Sequence, residues 1–312
     1  MFSGIGGFEY GMQKAYKRWS IKNQKQSQGI SSGSKKGQRG KLSNQLDKGF
    51  HCVGYSEIES NAIKVYETHY PKNKNYGDCT KINWKKVPNF KLLVAGFPCQ
   101  AFSLAGKRKG FEDTRGTLFF EIVRAIRIKK PKYILLENVK GLLSHQRGET
   151  YFIIKNTLEK LGYFTERQTL NSRYFGVPQN RERIFIVGYL GGTYFQRILP
   201  IQGRNIKPKK YHEQYKNPTI YFGDNRSYSK TCRGRVKKEI TGALMRVGKP
   251  GGVYLNGLLR RLTPIEYERL QGFPDNWTSI LKDKNRYECL GNAVTTNVVE
   301  EIIYSMLERS IR

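Results

Sequence analysis

The sequence predicts an α/β protein built on a doubly wound, mostly parallel sheet, with a smaller irregular region attached. Three observations carry that expectation. Short apolar runs bounded by turn residues alternate with stretches of helical length and periodicity. A glycine-rich turn, Phe2-Ser3-Gly4-Ile5-Gly6-Gly7-Phe8, stands immediately before the first helical stretch. The 312 residues are 38% hydrophobic, enough for a substantial core in one large or two modest domains.

The elements follow in order. The glycine turn leads into a helix ending near Trp19. From Ser20 to Lys48 the chain is mostly Lys, Gln, Ser and Gly, a composition too polar to bury a core, so a disordered basic insertion is expected. A short strand at Phe50–Tyr55 precedes a helix from Ser60 to Tyr70, stopped by Pro71. Leu92–Gly96 reads as a buried strand and Leu118–Lys129 as a helix that ends before Pro131. Tyr133–Glu137 is the next strand, Tyr151–Leu161 a helix closed by Gly162, and Arg183–Gly188 another strand. Strands alternating with helices favour parallel pairing, and ligands then bind beyond the carboxyl ends of the strands. After Leu190 the alternation fades into Lys, Arg, Tyr, Gly and Asn with weak strands such as Thr219–Phe222; helices return at Pro264–Gln271 and from Thr296. The expected division is 1–189, 190–275, and 276–312 returning to the first part.

Lys and Arg number 56 against 25 Asp and Glu, a formal charge of +31. That excess points to a polyanionic partner, with a merely solvated basic surface as the bland alternative. No apolar stretch is long enough for a membrane span, and the amino-terminal residues lack a secretory pattern. The five cysteines (52, 79, 99, 232, 289) are scattered and contain no Cys-x-x-Cys pair. A disulfide framework or a metal cluster is not expected, and a reduced, cytoplasmic setting fits.

Several residues stand where such a sheet places chemistry. Gly4, Gly6 and Gly7 would let backbone approach a ligand. Glu57 follows a strand and could hold ribose hydroxyls, and Asp78 precedes the next one. Each acid alone reads as an ordinary loop residue; together, beside the glycine turn, they suggest a nucleotide. Cys99 lies just past Leu92–Gly96 in Gly96-Phe97-Pro98-Cys99-Gln100, followed by a loop rich in Gly, Lys and Arg that would favour the thiolate. A free cysteine is more often a buried, inert one. Glu137-Asn138 and Gln179-Asn180-Arg181-Glu182-Arg183, at neighbouring strand ends, add a carboxyl group and guanidinium groups.

These motifs, with Glu137-Asn138-Val139, Arg261-Leu262-Thr263-Pro264, Gln271-Gly272-Phe273-Pro274 and Gly291-Asn292-Ala293-Val294 in that order, resemble DNA cytosine-5 methyltransferases of the bacterial and phage restriction-modification type. The resemblance implies the Rossmann-like sheet of S-adenosylmethionine-dependent methyltransferases plus a target-recognition domain. It implies that Cys99 adds to carbon 6 of a flipped cytosine, that Glu137 contacts N3 and the exocyclic amine, and that Arg183 holds the base carbonyl, with Arg181 and Gln179 supporting that pocket. Phe2, Gly4, Gly6, Gly7, Glu57, Ile58, Asp78, Cys79, Pro98 and Asn292 would bind S-adenosylmethionine and its product S-adenosylhomocysteine, with no metal. Ser103, Lys107 and Arg115 would meet double-stranded DNA from the loop after Cys99, and Gln179 would lie near it. In the recognition region Arg226, Arg233, Arg235 and Arg246 are the base-reading candidates, though phosphate contact is the commoner role for any one Arg; Thr241 with Gly242 would shape the loop.

Members of the family usually begin the first strand several residues before the glycine turn, whereas Phe2 here follows Met1 directly. The expectation is a clipped or misassigned start, against a weakened protein as the alternative. A tRNA-methylating branch of the family is a second possibility, without its Cys-Phe-Thr signature. A non-catalytic DNA-binding paralogue and a basic α/β module for another nucleotide are the others. A stand-alone monomeric microbial or phage enzyme is expected, with a restriction endonuclease as a separate companion.

Overall fold

The computed structural model describes residues 1–29, 49–98, 118–191, 197–203, 221–223, 237–238, 241–242, 252–255 and 258–310. Seven helices are found among them: α1 (Gly7–Gly29), α2 (Ser60–His69), α3 (Leu118–Lys129), α4 (Glu149–Lys160), α5 (Pro264–Leu270), α6 (Asp283–Asn292) and α7 (Thr296–Ser310). The main sheet contains β1 (Leu92–Gly96), β2 (Tyr133–Val139), β3 (Tyr163–Asn171) and β5 (Glu182–Leu190), in the order β1-β2-β5-β3.

β1 and β2 are parallel, in a register that sets Gly96 beside Glu137. β5 runs antiparallel to both β2 and β3, so the ladder described is mixed rather than mostly parallel. The cause is the short link between β3 and β5: a dozen-residue crossover is needed to return a strand parallel, and residues 172–181 do not supply one. Helices nevertheless cover both faces. Alternation along β2 sends Ile134 and Leu136 into a core with Phe119, Ile122 and Ile126 of α3 and Ile154 and Leu158 of α4. Leu135 points the other way, into a core with Phe8 and Ala15 of α1 and Val298, Ile302 and Ile303 of α7.

The helix expected to stop at Trp19 runs to Gly29, so the first part of the presumed disordered insertion is helical. α1 lies along α7, where Lys14, Arg18 and Lys22 pair with Glu300, Glu301 and Glu308. Of these, Lys22 lies in the Lys/Gln-rich stretch beyond Trp19 and ties its start to α7. The strand expected at Phe50–Tyr55 is reduced to one parallel bridge, Tyr55 with Asn75.

A second sheet joins β6 (Tyr221–Gly223), β7 (Lys237–Lys238), β9 (Gly252–Leu255) and β10 (Leu258–Arg261), all antiparallel. The two-residue strand β8 (Thr241–Gly242) pairs instead with β4 (Gln179–Asn180), tying this region to the Gln179–Arg183 segment. α5 begins with a reciprocal capping box: Thr263 accepts from the Glu266 N–H, Glu266 accepts from the Thr263 N–H, and Pro264 takes the first turn. Among the described residues no helix is long and apolar enough to cross a membrane.

Candidate active site

The site lies beyond the carboxyl end of β1, where the glycine turn, β2 and β5 converge. The turn is held open by backbone of unusual sign: Phe2, Gly4 and Gly6 have φ of 53°, 56° and 84°. Gly4 leaves open space where a Cβ would stand, and its N–H donates to Glu57 Oε2 at 2.8 Å. Gly6 needs its missing side chain for a different reason, since a Cβ there would fall 2.7 Å from the Tyr70 ring. Gly7, expected at the cofactor, instead faces the carboxy-terminal segment, where a Cβ would lie 2.9 Å from Val294 Cγ1. The missing side chain lets α1 pack closely there.

Glu57 Oε1 accepts from the backbone N–H groups of Ile58 and Glu59, which fixes its carboxylate at the mouth of the turn. Ile58 beside it is 73% exposed, an uncovered apolar side chain next to a fixed carboxylate. Asp78 Oδ1 accepts from the N–H and hydroxyl of Thr80, and these bonds hold its carboxyl below the usual range. Sequence reasoning missed Asn75, which binds both loops. Its Oδ1 accepts from the N–H groups of Glu57 and Gly77, and its Nδ2 donates to the Glu57 carbonyl. An Asn two residues before Gly77 is a turn signal that could have revealed it. An open turn, a fixed carboxylate, a bare apolar side chain and a second acid fit an adenosyl group.

Cys99 lies outside the described residues, directly after Pro98, which is exposed. Its entry is nevertheless fixed: the buried Asn138 amide donates to the Phe97 carbonyl at 2.9 Å and its oxygen accepts from the Val139 N–H. Glu137 crosses over Gly96, where a Cβ would lie 3.4 Å from Glu137 Oε2. Arg183 Nε stands 3.1 Å from Glu137 Oε1, with both side chains largely buried. Burial raises the Glu137 pKa against the opposing pull of Arg183 and Arg181. Burial pushes Cys79 up to about 11 and also raises Cys52.

Arg181 does not join Arg183 at this edge. It is buried, and its guanidinium donates to the carbonyls of Gly291 (3.2 Å) and Ala293 (2.9 Å). Burial, with Arg183 nearby, lowers its pKa to about 9. Gln179, expected near DNA, is also wholly buried and donates to the Leu270 carbonyl at 2.8 Å. Gln271 meets it there and holds the Leu290 and Ala293 carbonyls and the Thr295 hydroxyl. Arg181, Gln179 and Gln271 therefore anchor the carboxy-terminal segment to β5, and Asn292 stands exposed in that anchored segment. Ser103, Lys107, Arg115, Arg226, Arg233, Arg235 and Arg246 lie outside the described residues; of Thr241, the backbone pairing with Gln179 is described.

A sheet of this kind, with a glycine turn, two acidic loops and a buried carboxyl–guanidinium pair at one end, fits the class of α/β enzymes that use a nucleotide cofactor. The chain matches the family model of the C-5 cytosine-specific DNA methylases over residues 1–221 and 201–308, and it belongs to that family. It is 38% identical to the type II methyltransferase M1.ScrFI of Lactococcus lactis subsp. cremoris, over 83% of this chain and 74% of that one. It is 34% identical to the type II methyltransferase M.HhaI of Haemophilus parahaemolyticus, over 83% and 88%. A solved DNA modification methyltransferase encoded within an E. coli prophage shares the fold, with TM-score 0.68 and 18% identity over 100% and 98% of the two chains. The protein is a DNA cytosine-5 methyltransferase, and the DNA reading is favoured over the tRNA one.

Proposed function

We propose that the chain methylates carbon 5 of a flipped cytosine in a specific duplex sequence, through a covalent adduct of Cys99. The Glu137–Arg183 pair carries the reading. It places a carboxyl of raised pKa and a fixed cation over Gly96, three residues before Cys99 in the chain. The Cys99 thiolate forms a bond to carbon 6, and the ring's π electrons move towards carbon 5. Protonated Glu137 donates at N3 and so absorbs the charge that addition creates. Arg183 stabilises the developing charge on the base carbonyl oxygen. After methylation, the carbon-5 proton passes to solvent water, the Cys99 thiolate is expelled from carbon 6, and N3 returns its proton to Glu137, which restores aromaticity and frees the product.

S-adenosylmethionine, when bound, supplies an electrophilic sulfonium methyl group. Glu57 would hold its ribose, Ile58 would cover the adenine, and Asp78 with Cys79 would meet the adenine edge. Phe2, Gly4 and Gly6 would border its methionine end, with Pro98 and Asn292 closing the pocket. Ser103, Lys107 and Arg115 would follow the DNA backbone near the flipped base, while Arg226, Arg233, Arg235 and Arg246 would read or clasp the duplex from the recognition region. The enzyme would act as a cytoplasmic monomer, with or without a companion restriction endonuclease.

Bisulfite sequencing of plasmid from cells expressing the chain tests this reading. Cytosines protected at one recurring sequence are expected. Labelled methyl groups entering tRNA but not duplex DNA would contradict it.

A further inference from the structure

Trp277 joins the carboxy-terminal segment to the glycine turn, far away in the chain. Its side chain is buried, and its indole Nε1 donates to the Ile5 carbonyl at 2.9 Å. Ile5 lies between Gly4 and Gly6, the two glycines of positive φ in the turn. A peptide group is planar, with its C=O and N–H opposed. Holding the Ile5 carbonyl therefore also aims the Gly6 N–H, which donates to the Ser3 carbonyl at 3.3 Å. One indole N–H thus sets the tilt of the central peptide of the turn.

The indole is itself held from several sides. Glu268 of α5 is wholly buried and grips the backbone before and after it: Oε2 accepts from the Asn276 N–H at 2.7 Å, and Oε1 from the Thr278 N–H at 2.8 Å. Arg286 of α6 donates to the same Oε1 at 3.1 Å, which pairs the buried charge. His69, the last residue of α2, lies flat on the indole, with ring centroids 3.5 Å apart and planes 11° apart. Its Nε2 donates to the Trp277 carbonyl at 2.7 Å. The other end of α2 is capped by Glu59, beside Glu57, whose Oε2 accepts from the Gly4 N–H. Trp277 is therefore tied to the turn directly and to the Glu57 loop through α2.

We propose that Trp277 is a positioning residue for S-adenosylmethionine: its N–H holds the glycine turn in the conformation that receives the cofactor. This role rests on the cofactor reading above, in which Gly4 and Gly6 border the methionine end. A turn ordered beforehand lowers the cost of binding, so the effect falls on cofactor affinity and leaves the methyl-transfer step alone.

Trp277→Phe keeps an aromatic ring against His69 and removes the N–H. Calorimetric titration with S-adenosylhomocysteine, well below the melting temperature, should show binding about tenfold weaker than in the unsubstituted chain, the worth of about one hydrogen bond. KM for S-adenosylmethionine on plasmid DNA should rise by a similar factor, while single-turnover methylation at saturating cofactor stays within about twofold. Ile154→Val, a core truncation under α4, lowers stability without touching the turn and should bind as the unsubstituted chain does. Equal affinity of Trp277→Phe and the unsubstituted chain overturns the proposal, as does an equal loss in Ile154→Val, the mark of general destabilisation. Absence of binding by the unsubstituted chain overturns the cofactor reading and this role with it. Should Trp277→Phe fail to fold, the coupling is read from the other end, because it is reciprocal. In the unsubstituted chain, S-adenosylhomocysteine should slow hydrogen exchange of the Trp277 indole N–H about tenfold, and those of Trp19 and Trp84 less. Unchanged exchange at Trp277, or equal slowing of all three, overturns it.

Discussion

Arg181 and Arg183 are two residues apart, and the structure gives them opposite tasks. Replacing Arg181 by Met removes the donors to the Gly291 and Ala293 carbonyls, both held by that guanidinium. The Ala293 carbonyl keeps Gln271 Nε2 as a donor, so one acceptor, that of Gly291, is left buried without a partner, at a cost of about 1–3 kcal/mol. Removing a cation that burial and Arg183 disfavour offsets part of this. The net loss should be about 1–2 kcal/mol, or a melting temperature lower by roughly 2–6 °C for a chain of this size. Arg183→Met removes a less buried side chain bonded to the Glu182 carbonyl and paired with Glu137. Its stability should change by less than about 1 kcal/mol, while methyl transfer falls about 10²–10³-fold with the loss of charge stabilisation at the base. Differential scanning calorimetry and single-turnover methylation, run on both variants, separate the two. Unchanged melting of Arg181→Met with a catalytic loss like that of Arg183→Met would refute the division of labour.

Three further outcomes follow from the same geometry. Glu137 has a raised pKa in the folded state, so its protonated form favours folding: that contribution is full below the unfolded carboxyl pKa and disappears as pH rises through the folded one. Catalysis needs the same proton, so the rate should fall on the alkaline side of that pKa; Glu137→Gln should abolish this limb and lower kcat about 10²-fold, as read from a pH–rate profile. Glu57→Ala should weaken S-adenosylhomocysteine binding about 10–100-fold by calorimetry, the worth of one or two hydrogen bonds to a charged group. Gly11→Ala would normally strengthen a helix by up to about 1 kcal/mol. Here a Cβ would lie 2.6 Å from Val299 Cβ and 2.9 Å from the Thr296 carbonyl, so overpacking should win and lower the melting temperature by about 2–4 °C.

What the sequence reveals depends on whether a residue's surroundings are local. α3 was legible end to end, because an apolar periodicity and Pro131 define it without help from elsewhere. β3 was missed. It is a sheet edge whose Phe164, Glu166 and Gln168 mix with apolar residues, and only pairing with β5 makes it a strand. α1 continues past Trp19, where Lys22 pairs with Glu308 of α7, a partner far along the chain that the local sequence does not reveal. In the site, Glu137 and Arg183 were recognisable from their motifs, and the structure pairs them. Gly7 and Gln179 share those motifs, and the structure sets them against Val294 and Leu270, contacts that the motifs do not foretell. No local pattern distinguishes a glycine that admits a ligand from one that admits a neighbouring helix. Asn75 went unnoticed because its bonds to Glu57 and Gly77 depend on two loops being adjacent.

The central claim is that Cys99 attacks carbon 6 of cytosine beside the Glu137–Arg183 pair. A duplex containing 5-fluorocytosine at the target, incubated with the full chain and S-adenosylmethionine, tests it directly, because the carbon-5 fluorine cannot be lost and the enzyme must stall on the base. The account predicts a protein–DNA adduct that survives denaturing electrophoresis, abolished by Cys99→Ser with DNA binding retained. Tight binding of that duplex with no adduct from the unsubstituted chain would contradict it.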